Sequence, residues 1–137
     1  MTLFKKAAST LAVLALVACA SMAAKHVNVT LTGAEEVPAV STAARGSGSF
    51  TIGDDGAVSG SVTTSGVQGT MAHIHMAAKG QNGGVIVPLT KNGDTYSAPA
   101  GAKLNEAQMA AFKAGNLYVN VHSAANKGGE IRGQLSP

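Results

Sequence analysis

The chain has 137 residues, room for one domain and a leader but not for a second core. Apolar residues make up 45% and charged ones only 12%, the reverse of the composition that keeps a chain disordered. The net charge of +3 falls to about +1 once Lys5 and Lys6 are set aside, and its scatter excludes the basic stripe of a nucleic-acid binder.

The first 24 residues read as a secretion signal. Lys5 and Lys6 form a positive start, and residues 7–18 are an apolar run too short to span a bilayer as a helix. Small residues follow. Two endings compete. Ser21-Met22-Ala23 and Ala18-Cys19-Ala20 suit ordinary signal peptidase. Leu16-Val17-Ala18-Cys19 resembles a lipobox, which would make Cys19 a lipidated first residue and tether the domain to a membrane. Cys19 is the one cysteine, so no disulfide forms within the chain and packing alone must hold the fold.

From residue 26 the pattern is β. Val27, Val29 and Leu31 alternate with polar residues, as in a strand with one buried face. Residues 35–42 contain Pro38 and read as an irregular edge segment. Residues 46–52 and 57–64 are partner strands around the turn Gly53-Asp54-Asp55-Gly56. Residues 70–76 form a strand, 79–84 a Gly-rich loop and 85–89 an apolar strand. Residues 91–94 read as a turn before a short strand at 95–98. One short helix is predicted near 105–114. Asn105 caps it, Gln108 holds the capping-box position, and Leu104 and Met109 are spaced as a hydrophobic staple. Gly115 suits the left-handed closing position. Strands at 116–122 and 130–135 follow. The whole predicts an all-β, Greek-key sandwich with one helix.

Four segments carry a family resemblance: LTGAEEVP (31–38), AHIH (72–75), GNLYVNVH (115–122) and GEIRGQ (129–134). Together they resemble the CHRD domain, named after chordin and also found alone in exported bacterial proteins. The match would assign residues 25–137 to that domain. It implies an immunoglobulin-like or superoxide-dismutase-like sandwich and no single biochemistry. In chordin the module belongs to an extracellular protein that binds growth factors.

His73 and His75 stand two apart on a strand, so both imidazoles project from one face. On the strand at 116–122, Tyr118, Asn120 and His122 share a face. If the two strands are neighbours, His73, His75 and His122 converge. Three neutral imidazoles suit copper or zinc, and a thioether from Met71 or Met76 would favour Cu(I). Met71 shares the face of the two histidines; Met76 faces away unless the strand ends there. The competing reading is a set of hydrogen-bonded histidines with Tyr118 and Asn120 as partners. His26 offers a second copper site if cleavage follows Ala23, because a free amine, two backbone amides and a third-position imidazole make a square-planar chelate.

Glu130 and Arg132 share a strand face and read as a structural pair or network. Adjacent Glu35 and Glu36 point apart, so they are not paired acid and base. The function expected is therefore an exported, periplasmic or secreted, non-enzymatic metal-binding domain. The alternative is an interaction or structural module for an extracytoplasmic protein partner. A dismutase-like redox enzyme is disfavoured, since the further histidines and the aspartate of a bridged two-metal site are missing.

Overall fold

The computed structural model describes residues 23–137. The leader reading, with Cys19, lies outside the described residues except for Ala23 and Ala24, which are exposed and irregular. Nine strands follow: β1 (Lys25–Thr32), β2 (Arg45–Ile52), β3 (Val58–Ser65), β4 (Gly69–Met76), β5 (Gly84–Pro88), β6 (Thr90–Asn92), β7 (Thr95–Ser97), β8 (Leu117–Ser123) and β9 (Ile131–Leu135). A single 3-10 turn covers Gly33–Glu35, and helix α1 runs over Glu106–Lys113.

The strands form one antiparallel sheet in the order β5-β4-β8-β9-β1-β2-β3-β7-β6. Its end strands, β5 and β6, are separated in sequence by Leu89 alone. The sheet must therefore curl until its ends meet, and the Leu89 amide donates to the Ala72 carbonyl of β4 at 3.0 Å. The result is a nearly closed, barrel-like sandwich, which bears out the all-β reading.

Period-2 alternation decides which side chains enter it. Val27, Val29 and Leu31 of β1, Phe50 and Ile52 of β2, and Ile74 of β4 are buried. Leu117, Val119 and Val121 of β8 join them with Ile131 and Leu135 of β9. Each such side chain contributes about 1.5–3 kcal/mol by leaving water. Helix α1 seals one end with Phe112. Its start is as the sequence predicts: Asn105 accepts from the Gln108 amide, and the Gln108 side chain accepts from the Asn105 amide, both at 2.9 Å. Gly115, at φ +77°, closes it.

One local reading needs correction. Residues 91–94 are not all turn: Lys91 and Asn92 belong to β6, and only Gly93 and Asp94 turn the chain into β7. A strand of three residues is too short to show alternation, so the turn chemistry of its neighbour masked it. For Glu130 and Arg132 the pair alternative fails and the network alternative holds. Glu130 instead accepts from Thr42 Oγ1 at 3.0 Å, Ser123 Oγ at 2.8 Å and Asn126 Nδ2 at 3.1 Å.

β8 is buried along its whole length, on both faces. The inward face meets the apolar core. The outward face, with Tyr118, Asn120 and His122, is covered by residues 33–40, 77–83 and 124–129. This polar, covered face is where the histidines sit.

Burial pushes the Glu130 carboxyl up, but the bonds from Ser123, Asn126 and Thr42 outweigh it and hold the carboxyl below its ordinary value. A depressed folded value contributes stability above the unfolded value, near pH 4.5, that is lost as pH falls through the folded one. Glu130→Gln is therefore expected to cost about 1–3 kcal/mol at neutral pH and to flatten the acid limb of the stability curve. Urea melts of both proteins between pH 3 and 7 check this; parallel curves would refute it.

Candidate metal centre

β4 and β8 are neighbours in antiparallel register: Met71 faces His122, His73 faces Asn120, and His75 faces Tyr118. The adjacency left conditional in the sequence is thus met. One potential ligand nitrogen from each of His73, His75 and His122 lies within 4.8 Å of the other two. The closest contact is His73 Nδ1 to His122 Nε2, at 3.1 Å. Ring centroids are 4.9 Å apart for His73 and His122 and 5.6 Å apart for His73 and His75. Tetrahedral ligation at 2.0–2.1 Å bonds places nitrogens about 3.3 Å apart, so the set closes around an ion by a shift of about 1 Å.

Backbone carbonyls orient two of the rings. His75 Nδ1 lies 2.9 Å from the Gly83 carbonyl, and His122 Nδ1 lies 2.7 Å from the Lys127 carbonyl. A carbonyl only accepts, so both Nδ1 atoms carry the proton and both Nε2 atoms present lone pairs. Such a bond on the far nitrogen is the usual support of a metal-binding histidine. His75 Nε2 is buried without any hydrogen-bond partner.

The ring of His75 is also held by stacking. Tyr118 lies parallel to it, centroids 4.7 Å apart and planes 2° from coplanar. From the β9 side, the Arg132 guanidinium sits 3.8 Å from the Tyr118 ring centre. Arg132 itself is buried and donates through Nε to Glu36 Oε2 at 3.1 Å. Its Nη1 donates to the Gln81 carbonyl at 2.9 Å and its Nη2 to Asn82 Oδ1 at 2.6 Å. One guanidinium thereby pins both covering segments, residues 33–37 and 77–83. Gly83 must be glycine: a Cβ there would run into the Met76 carbonyl oxygen. The loop at 79–84, read from sequence as Gly-rich, is a structural part of the site.

Burial lowers the pKa of His73, and the neighbouring His122 and His75 lower it further. Burial also lowers that of His75, against the bond to Gly83, which raises it. Both rings are therefore held in the neutral form that a metal needs. Burial lifts the Glu36 carboxyl, against the opposing charge and hydrogen bond of Arg132.

The remaining sequence candidates lie around the cluster. Met71 is half-exposed beside His122. Met76 is the last residue of β4, opposite Leu117, and is 40% exposed. His26 is on β1, which β9 separates from β8; it is exposed, with Nδ1 3.2 Å from Thr51 Oγ1. Glu35 is at the surface, 3.3 Å from Lys79 Nζ. The sequence did not reveal Glu36 as the partner of Arg132. The two are 96 residues apart, and no local pattern links them. The one available clue was parity: Arg132 shares the outward face of β9 that meets Asn120.

Among known proteins, the family model of the CHRD domain matches residues 27–135. No curated protein matches the chain, and neither does any solved structure. The family match spans β2 to β9, all of β1 but its first two residues, and all three clustered histidines, and the chain belongs to the CHRD domain family.

Proposed function

We propose that this protein is an exported, non-enzymatic domain that binds one transition-metal ion through His73, His75 and His122. One observation carries the reading: the Nδ1 protons of His75 and His122 are committed to backbone carbonyls, so both Nε2 lone pairs turn toward the cluster, where that of His122 meets His73 Nδ1 and that of His75 has no protein partner. Imidazole suits both copper and zinc, and the general affinity order places Cu(II) ahead. The fourth histidine, His26, lies outside the cluster, so a bridged two-metal redox centre has no support. Export rests on the leader reading, and lipid attachment at Cys19 remains its alternative ending.

A second reading is favoured by the surface beside the cluster. Met71, Met76 and Val85 are large apolar side chains, 40–51% exposed, at the β4–β5 edge. Such a rim suits docking of an extracytoplasmic protein partner.

Titrating the purified protein with Cu(II), Cu(I) and Zn(II) tests the metal reading. One ion per chain is expected, with affinity lowered at least about 100-fold in the His73→Ala/His75→Ala/His122→Ala variant. Equal binding by both proteins, or none by either, sinks the metal reading and leaves the docking one.

The pH dependence is fixed in sign. The unfolded chain takes up protons near the ordinary histidine value, about 6.5, whereas folded His73 and His75 resist them. Stability of the metal-free protein should therefore fall as pH drops below that value, until the lowered folded values are reached. Protons should compete with the metal at His73 and His75 only below pH 6.5, where those two rings titrate in the folded protein. Thermal melts and zinc affinities between pH 4.5 and 8 measure both trends. Affinity collapsing at pH 6.5, as for free imidazole, would contradict them.

A further inference from the structure

Three buried side-chain atoms among the described residues have no hydrogen-bond partner: Glu36 Oε1, His75 Nε2 and Asn120 Oδ1. They belong to one chain of contacts. Asn120 is 1% exposed and stands on β8 between His73 on β4 and Arg132 on β9. Its Nδ2 and Glu36 Oε1 lie against the same glycine, Gly129, and His75 stands two residues along β4 from its pairing partner His73.

The amide can face only one way. Its Nδ2 donates to the Gly128 carbonyl at 3.4 Å. The same nitrogen and Glu36 Oε1 both lie against Gly129, whose φ of +125° and lack of a Cβ let the backbone press on them. Carbonyl and carboxylate are acceptors, so the donor end of the amide must face them. That leaves Oδ1 at the other end of the amide without a partner. The unpartnered nitrogen of His75 is Nε2, which presents a lone pair because Nδ1–H is bonded to Gly83.

Neither of these two buried acceptors has a donor among the protein's own atoms. Buried acceptors without donors are destabilising, and a cation bound by the two relieves that. Resting on the metal reading above, we propose that Asn120 Oδ1 is the fourth ligand, making the site three imidazole nitrogens and one amide oxygen. An oxygen donor has a chemical consequence. Carbonyl oxygen is hard, so it favours Zn(II) and Cu(II) over soft Cu(I), and Met71 and Met76 are then not ligands. Four donors from two adjacent strands also close the tetrahedron, as in a structural or storage site rather than one with an open position for substrate.

The test uses the whole protein, labelled with 13C and 15N and titrated with Zn(II), which is diamagnetic. The Asn120 side-chain carbonyl and amide resonances are expected to shift in step with the imidazoles of His73, His75 and His122, saturating at one equivalent. Imidazoles that shift while Asn120 stays still would overturn the assignment and leave a three-histidine site. If no imidazole shifts, the metal reading itself falls, and this ligand with it.

Two variants add a functional readout, with circular dichroism confirming the fold. Asn120→Leu should weaken Zn(II) at least about 10-fold and change Cu(I) less. Asn120→Asp keeps the oxygen but removes the donor, so it should recover Zn(II) affinity. A purely structural Asn120 predicts the opposite: equal losses for both metals and no recovery with Asp.

Discussion

The polar face of this domain depends on one buried charge, the guanidinium of Arg132. It and Glu36 are almost fully enclosed, with Nη2 3.0 Å from Oε2. Taking two ions out of water is unfavourable, and their attraction offsets that only when the remaining donors are also satisfied. Here they are: Arg132 also reaches Gln81 and Asn82 and lies over Tyr118. The contacts draw residues 33–37 and 77–83 together, and Asn82 Nδ2 then donates to the Val37 carbonyl at 2.9 Å. Without that clamp the two segments would lose their common anchor, and the outward face of β8 would open to water. Removing either ion leaves the other buried and uncompensated, a loss of about 3–5 kcal/mol.

The clamp matters for chemistry because it fixes loops as firmly as strands. Gly83 is at once the end of the segment that Arg132 holds, the acceptor for His75 and the partner of the Tyr118 hydroxyl. Lys127 supplies the matching carbonyl for His122 from the turn before β9. The imidazoles are thus placed by strand register and oriented by loop backbone. Gln134 works similarly at the far end, donating to the Ala77 and Gly115 carbonyls at 3.0 and 2.8 Å.

What the sequence made legible follows from distance along the chain. Alternation in β1, β2 and β8 is a local property, as is the Asn105–Gln108 capping box, and both are present as read. That His73 and His75 share a face required only strand geometry. Their meeting with His122 required knowing that β4 lies beside β8, a pairing 40 or more residues apart that alternation alone does not encode. Glu36 shows the limit most clearly. A glutamate in an irregular segment next to another glutamate looks solvated, and only the fold turns it into the partner of Arg132. Glu130 and Arg132 illustrate the converse: a shared strand face allowed a pair or a network, and each joins a separate network, Arg132 with the covering loops and Glu130 with Thr42, Ser123 and Asn126.

The choice between metal ligands and ordinary hydrogen-bonded histidines turns on which atoms are satisfied. A histidine kept only for structure, once buried, gains by bonding both nitrogens, since a buried polar atom left alone is destabilising. His75 does not do this. Its Nδ1 is bonded and its ring is stacked on Tyr118, so it is rigidly held, yet Nε2 is empty. Asn120, on the neighbouring strand and also enclosed, leaves its oxygen without a protein partner as well. Rotation does not rescue the amide, because turning it would point its oxygen at Glu36 and the Gly128 carbonyl. Nor does repacking, because Gly129 presses on the same group. A sequence selected for stability alone would replace this pair with apolar residues, as β8 does on its other face with Val119 and Val121. Violations of polar satisfaction that cluster on one otherwise well-bonded face fit the proposed metal site, because buried acceptors without protein donors are what a cation would satisfy.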